Sequence, residues 1–476
     1  MTRPGDTWKE LAATGAVGLA SAHVGWGFVH GGPAATVYDI FLAACLAYVV
    51  SSPFAMMVGF MSVLFVRPAE LDPSLEVWKL GKATMVGAVA YFGLSRMVAR
   101  RARPASTPFN LYMIWLTLAV YASAYLGIAR GESLVKFQEV FVKIVLLFFL
   151  IVNVLDNQER VRRFMVALSV LLTFVGGYTI WMKFSGTALL EGTRAAGVGM
   201  HGDPNDTAMA LLMAAPFLIA AVLDTRGLQR LGFLVLLAIV VGGILATQSR
   251  GGLLGLAVGV FALVRHRVKS RLFTAAVAVA FAAAVLVIGL RGRATVQAGQ
   301  MDESAQSRIV AWKAGLHMLR ARPVLGMGYE TFGHAFPSFA EAVPFEKKSM
   351  TAHNSYILCV AEVGLVGSVP FFLMVAGSLL IANRASALAR SLPPSLDRAV
   401  LTGYAGNVAA SFTAAFFLSQ TWLWFMYILF AQAAAIGCVH AITFEPGRRV
   451  LQIFMPRLAE RVAAPPRNRS LEGLES

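Results

Sequence analysis

Charged residues and cysteine are both scarce in this 476-residue chain. Asp, Glu, Lys and Arg together make up 14% of it, and 57% is hydrophobic, whereas soluble domains carry about 25% charged residues. The three cysteines, Cys45, Cys359 and Cys438, are scattered along apolar stretches, so they predict neither a disulfide framework nor a zinc site. This composition excludes an ordinary soluble enzyme and a disordered chain. It indicates a membrane protein with many spans.

Acidic residues are the scarcer of the two charge types. Asp and Glu number 25 against 41 Lys and Arg, which gives a formal net charge of +16. In a soluble protein this excess would indicate nucleic acid binding. In a membrane protein basic residues collect in cytoplasmic loops, so most of the excess only orients the chain and we expect no nucleic acid partner. The polar N-terminus and the apolar stretch after it do not resemble a cleavable signal peptide.

Long apolar runs predict an all-α polytopic bundle of about 12 to 14 transmembrane helices. Two N-terminal stretches, 11–30 and 36–67, leave the exact number open, the second because it is either one long span or two short ones. The clearer spans are predicted at 82–99, 110–129, 137–155, 163–184, 206–224, 230–247, 251–266, 271–290, 360–383, 400–419 and 421–442.

Every second connection between these spans is basic, which predicts that those connections and both termini are cytoplasmic. The other connections then face outward, and the longest of them, 291–359, is too long for a simple connector. We expect an N-terminal transmembrane region (1–130), a transmembrane core (131–448) that includes this loop, and a basic cytoplasmic tail (449–476).

Arginine occurs in three outward connections, where the orientation rule disfavours it: Arg194, Arg250 and Arg308. A planar guanidinium suits phosphate oxygens, although a single arginine at a membrane edge is as easily explained by its side chain reaching water. His353 lies where the long loop returns to the membrane, and a histidine there either starts a helix or accepts a proton from a hydroxyl. Glu362 lies nine residues further, on the opposite helix face, and is expected to make a polar contact inside the bundle.

Two other segments have mainly structural interpretations. Asp203 or Asn205 can cap the helix that Pro204 begins, and Asp203 with Asp206 is too small a set to predict a metal site. The glycines in RPVLGMG, which begins at Arg322, lack the Lys-Ser/Thr of a nucleotide-binding loop, so nucleotide binding is not expected.

An ordered set of motifs over about 190–375 resembles the O-antigen ligase and O-antigen polymerase (WaaL/Wzy-like) superfamily of bacterial membrane glycosyltransferases. The set comprises DPND from Asp203, TQSRGG from Thr247, RIVAWKAG from Arg308, RPVLGMGYETF from Arg322, and HNSYIL from His353 followed by EVGLVG. Each motif is short, and the first 130 residues match no motif of the superfamily.

The resemblance implies an inner-membrane enzyme with GT-C-like architecture that works on the periplasmic side. Its donor would be a glycan on undecaprenyl pyrophosphate, and its acceptor a hydroxyl of lipid A core, of a growing glycan or of a protein. The superfamily's essential histidine corresponds to His353, and its arginines to Arg308, Arg250 and, with a looser match, Arg194. We expect no cofactor or metal, inversion at the anomeric carbon, and substrate binding by residues of the same motifs, namely Arg194, Asn205, Arg322, Tyr329 and Asn354.

Four alternatives stay open at this point. The chain could polymerise glycans or glycosylate proteins, which differ from ligation only in the acceptor. It could transport a lipid-linked glycan, although its unusual polar residues collect on the outer side and not along a path through the membrane. It could also be a non-enzymatic partner in envelope assembly, which would not need the histidine and arginines.

Overall fold

The structure is a computed structural model that describes residues 52–66, 80–98, 105–186, 189–190, 193–197, 202–267, 299–340 and 350–442. Of this described part, 81% is helical and no residue belongs to a strand. Leu190 and Arg194 form an isolated β-bridge. The predicted all-α class is therefore confirmed.

Fifteen α-helices follow one another along the described residues. A π-helical turn, Phe137–Phe141, joins the fourth helix to the fifth, so that Arg130–Val154 is one element of span length. The helices are α1 (Pro53–Val66), α2 (Leu80–Val98), α3 (Pro108–Leu126), α4 (Arg130–Lys136), α5 (Val142–Val154), α6 (Gln158–Ser185), α7 (Pro204–Leu212), α8 (Ala215–Asp224), α9 (Gly227–Thr247), α10 (Arg250–Arg267), α11 (Gly299–Ala321), α12 (Phe332–Phe339), α13 (Ser355–Ala389), α14 (Leu396–Ala415) and α15 (Trp424–Val439).

Several of these elements could cross a membrane. Within the described residues six are long and apolar enough: Pro108–Leu126, Arg130–Val154, Gln158–Ser185, Pro204–Asp224, Gly227–Thr247 and Ser355–Ala389. A polytopic membrane protein is thus confirmed. The total of about 12 to 14 spans stays a prediction, as does the division into three regions, because 11–30, 271–290 and 449–476 lie outside the described residues.

Two predicted spans are interrupted in the structure. The span at 206–224 divides into α7 and α8. Pro216 lies in the first turn of α8, where backbone N–H groups have no partner within the helix, so the N–H that proline lacks costs no helical hydrogen bond. The span at 360–383 lies inside α13, which breaks at Gly364 (φ 57°, ψ −162°). This backbone conformation is essentially restricted to glycine.

The glycine-rich segment after Pro323 packs against the break in α13. Leu365 N–H donates to the carbonyl of Pro323 (2.8 Å), and Gly328 N–H donates to that of Glu362 (3.0 Å). A Cβ on Gly326 would lie 2.4 Å from the carbonyl carbon of Glu362. The glycines of RPVLGMG therefore permit a backbone contact inside the protein. The predicted loop 291–359 is, where described, a folded segment that contains α11 and α12.

The connections at the two ends of the bundle differ in character. At one end Arg162 pairs with Asp397 (3.3 Å), and Arg398 lies 3.6 Å from the buried Asp224. These residues come from three connections that the basic pattern assigns to one side of the membrane. At the opposite end α4, α7 and α13 begin, α14 ends, and a cavity opens.

Candidate active site

The cavity has a volume of about 640 Å³ and is lined mainly by polar residues. This size lies within the range of about 300–1,000 Å³ that is usual for small-molecule sites. The lining comes from the starts of α4, α7, α12 and α13, and from the connection between α14 and α15. It consists of Glu132, Lys136, Asp203, Asn205, Asp206, Glu330, Phe332, Gly333, His334, Met350, Thr351, His353, Leu358, Glu362, Leu418, Ser419, Gln420, Trp422 and Leu423.

His353 lines the cavity immediately before α13 begins. Its backbone has φ 48°, a conformation that costs a non-glycine residue about 1–3 kcal/mol unless its surroundings impose it. Two contacts impose it here: His353 N–H donates to Ser419 Oγ (2.9 Å), and Asn354 Oδ1 caps α13 by accepting from Tyr356 N–H (2.9 Å). Because Asn354 supplies the cap, the His353 side chain is left to face the cavity.

The electrostatic surroundings of His353 favour a neutral imidazole. Partial burial lowers its pKa below the usual 6.5, and the nearby Arg308 guanidinium lowers it further, while the Asp203 carboxyl group acts in the opposite direction. A neutral imidazole can accept a proton at neutral pH. Arg308 is therefore one of the charged groups that act on His353, and the catalytic roles of both residues stay a prediction.

A second cluster joins Arg194 to the residues around Arg250. Arg194 is buried, and its Nη2 donates to Asn205 Oδ1 (2.9 Å) while its Nε donates to the carbonyl of Thr247 (3.2 Å). Ser249 Oγ donates to the same Asn205 oxygen (2.8 Å). The turn between α9 and α10 is thus tied to the start of α7, and Arg250 follows it at the exposed first position of α10.

The three arginines are not part of the described cavity wall, although Arg194 contacts the lining residue Asn205. Within the part of the chain that the structure describes, Arg194, Arg250 and Arg308 are not among the lining residues, whereas Asn205 and His353 are. The carboxyl groups of Glu132, Asp203, Asp206, Glu330 and Glu362 do line it. The described lining is therefore rich in carboxyl groups, and two of them, Asp203 and Asp206, flank the Asn205 that Arg194 contacts.

Three other residues from the motifs make contacts within the protein. Arg322 is exposed and donates to the carbonyl of Leu126 (3.2 Å), and Tyr329 is fully buried, with its ring 5.7 Å from that of Phe141. Burial raises the pKa of Tyr329 well above 10. Asn354 is the cap of α13. These three are absent from the described cavity lining, and their substrate contacts stay a prediction.

Glu362 connects three segments at the base of the cavity. Its carboxylate accepts hydrogen bonds from Glu330 N–H (3.1 Å), Phe332 N–H (2.8 Å) and Trp422 Nε1. It makes the polar contact inside the bundle that its position predicted. Among the described residues, no group of three or more His, Cys, Asp or Glu side chains is arranged to hold a metal ion.

The sequence did not indicate part of this lining. Glu132 and Lys136 lie in α4, nearly two hundred residues from Glu330 and His334, and no spacing or motif relates the two pairs. Gln420 lies in a connection that the apolar pattern placed inside or beside a span. These residues could have been found by collecting all polar residues that lie at the outward-facing ends of the predicted spans.

Comparison with protein families bears on the segment that carries most of the motifs. Residues 233–372 match the family model described as O-antigen ligase. The predicted superfamily is confirmed for this segment. The O-antigen ligase segment includes Arg250, Arg308 and His353, whereas Arg194, Asn205, Glu132 and Gln420 lie outside it. No curated protein matches the chain.

The family match supports a general function. The chain is a membrane protein in which residues 233–372 are similar to the O-antigen ligase family. This similarity supports a glycosyltransferase-like function of the ligase or polymerase type in general, for which a lipid-linked glycan donor and a glycan acceptor are implied.

Proposed function

We propose that the protein is an O-antigen ligase of the cytoplasmic membrane, with its active site facing the periplasm and both termini in the cytoplasm. It transfers a glycan from undecaprenyl pyrophosphate to an acceptor hydroxyl, with lipid A core as the acceptor. The observation that carries this proposal is the side chain of His353, which lines a polar cavity beside Arg308 and has a pKa that favours the neutral form.

The reaction requires a base and a group that stabilises the leaving pyrophosphate. The acceptor oxygen forms a bond to the anomeric carbon while the bond from that carbon to the pyrophosphate oxygen breaks. His353 takes the hydroxyl proton, and undecaprenyl pyrophosphate leaves with the bonding electron pair. Displacement from the opposite face inverts the anomeric centre. Because the donor is already activated, the step needs no nucleotide.

Arginine contributes where negative charge develops. Charge increases on the leaving oxygen in the transition state, so guanidinium groups beside it lower the barrier. Arg308 and Arg250 are the proposed catalytic arginines. Arg194, fixed by Asn205 and Thr247, is proposed to bind the same pyrophosphate.

The test is deletion of the gene followed by complementation with variants. We expect deletion to remove long glycan chains from lipopolysaccharide while undecaprenyl-linked polymer accumulates. Wild-type protein should restore the chains. His353→Ala should lower the transfer rate by about 10²–10⁴-fold, because a general base contributes that much. The matched control is His440→Ala, a half-buried histidine just after α15. Full transfer by His353→Ala at normal protein levels would refute the base assignment.

The same experiment distinguishes the acceptors. Single glycan repeats on the lipopolysaccharide core after deletion would indicate a polymerase. Normal lipopolysaccharide with unglycosylated exported proteins would indicate protein O-glycosylation. Loss of periplasmic lipid-linked glycan would indicate a transporter and would overturn the proposal of an enzyme.

A further inference from the structure

One wall of the cavity is a cluster of four charged or ionisable side chains that the proposed reaction does not use. Lys136 Nζ lies 3.2 Å from Glu330 Oε2 and 3.8 Å from Glu132 Oε1. His334 Nε2 lies 3.2 Å from Glu132 Oε2. We call Glu132, Lys136, Glu330 and His334 the paired-charge wall. Each side chain remains about one third to one half exposed, so it can still contact a ligand.

The backbone fixes the position of this wall. Ser133 Oγ donates to the carbonyl of Tyr329 (2.7 Å), which holds α4 against the start of the turn before α12. Glu330 has φ 60° and donates its N–H to Glu362 (3.1 Å). The backbone segments that carry the wall are therefore held against each other and against α13.

A chain of contacts separates this wall from the arginines. Arg194 contacts Asn205 at the start of α7, and Gln420 Nε2 donates to Asp206 in that helix. Trp422, two residues after Gln420, donates to Glu362, and Glu362 accepts from Glu330 of the wall. The arginine cluster and the paired-charge wall thus lie at opposite ends of this series.

A second observation indicates a ligand that donates hydrogen bonds. Gln420 lines the cavity and is 1% exposed, and no described residue donates to its Oε1. A buried acceptor without a donor costs about 1–3 kcal/mol, which a ligand hydroxyl can recover. Sugar hydroxyls both donate to carboxylates and accept from ammonium groups. An anionic pyrophosphate, in contrast, is disfavoured beside the wall, where the two carboxyl groups of Glu132 and Glu330 accompany one lysine and one histidine.

We propose that the paired-charge wall and Gln420 form the subsite for the acceptor sugar, and that this subsite selects an uncharged or amino-bearing sugar over a uronic acid. This inference rests on the proposed glycosyl transfer. In an inverting displacement the acceptor and the leaving group lie on opposite sides of the anomeric carbon. The proposal therefore assigns the pyrophosphate to the arginines and the acceptor to the paired-charge wall, the two ends of the series of contacts.

The first test is steady-state kinetics of the full chain in proteoliposomes. The donor is undecaprenyl-pyrophosphate-linked glycan, and the acceptor is lipopolysaccharide core from the deletion strain. We expect Glu132→Gln and Glu330→Gln each to raise the acceptor KM by roughly tenfold, because each removes a charge-assisted hydrogen bond, while the donor KM is unchanged. Glu139→Gln is the matched control, since Glu139 is exposed in the π-helical turn outside the cavity.

The second test needs no variant and so does not depend on folding of a mutant. Maltotriose and trigalacturonate, a neutral and an acidic trisaccharide, compete with the acceptor in the wild-type reaction. Stronger inhibition by maltotriose supports the subsite. Equal or stronger inhibition by trigalacturonate, or variants that change only the donor KM, would overturn the subsite and leave the transferase intact. If wild-type protein transfers no glycan, the proposed function itself fails.

Discussion

At the scale of single residues, the pKa of His353 makes a prediction about pH. Burial and Arg308 lower this pKa below 6.5, so the imidazole stays neutral until the pH falls below that value. If His353 is the base, the transfer rate should fall as the pH decreases, and the midpoint of this acidic limb of the pH–rate profile should lie below pH 6.5.

Arg308→Gln tests the cause of that shift. Removing the positive charge of Arg308 stabilises the protonated His353 imidazole. The pKa of His353 therefore rises, and the acidic limb of the pH–rate profile moves to higher pH. Asp203→Asn should move it to lower pH, because Asp203 raises the pKa. The measurement is the midpoint of the pH–rate profile, which is separate from any loss of kcat. Midpoints that do not move would contradict the interaction between His353 and Arg308.

Candidate site residues could be selected from the sequence where short motifs carried them, and their roles stay predictions. His353, Arg308 and Arg250 could be selected from sequence because each lies in a motif and at an outer membrane edge. The paired-charge wall could not, because Glu132 and Glu330 meet only through tertiary packing of α4 against the segment before α12. The role of Asn354 could not be decided from the sequence, because an asparagine at this position can either contact a substrate or cap a helix.

At the scale of secondary structure, the break in α13 predicts an intolerant glycine. Alanine at Gly364 would adopt a disfavoured φ of 57°, and its Cβ would lie 2.5 Å from the carbonyl carbon of Val324. A backbone conformation that is essentially restricted to glycine costs another residue about 1–3 kcal/mol, and the clash adds to it. We expect Gly364→Ala to lower the yield of folded protein and its thermal unfolding midpoint, measured in detergent.

Gly232→Ala is the control for that substitution. Gly232 lies within α9, and a Cβ there has no atom within 4 Å. Alanine favours the helix by up to about 1 kcal/mol relative to glycine, so the midpoint should stay or rise slightly. A Gly364→Ala protein as stable as Gly232→Ala would show that the break is not required.

The helices themselves were largely predictable and their interruptions were not. Apolar length alone located α3, α6 and α9 to within a few residues. The EVGLVG segment gives no sign of a break, because its residues continue an apolar run. The break lies where residues 323–328 pack against α13. The apolar periodicity of neither α13 nor this segment indicates that contact.

At the scale of the whole molecule, the two ends of the bundle predict a labelling pattern. Thr351 is exposed at the cavity end, and Arg390 is exposed at the end that holds the ion pairs. In a background without Cys45, Cys359 and Cys438, we expect Thr351→Cys to react with a membrane-impermeant maleimide in spheroplasts. Arg390→Cys should react only after lysis. The reverse pattern would place the cavity in the cytoplasm and overturn the proposed orientation.

The cavity also has a consequence for how relatives should be grouped. The O-antigen ligase segment supplies His353, Arg250 and Arg308, but α4 and the α14–α15 connection lie outside it and contribute Glu132, Lys136 and Gln420. Two chains that share the matched segment can therefore perform the same bond exchange on different acceptors. Acceptor specificity should diverge at these outside positions first, and comparisons confined to the matched segment would not detect that divergence.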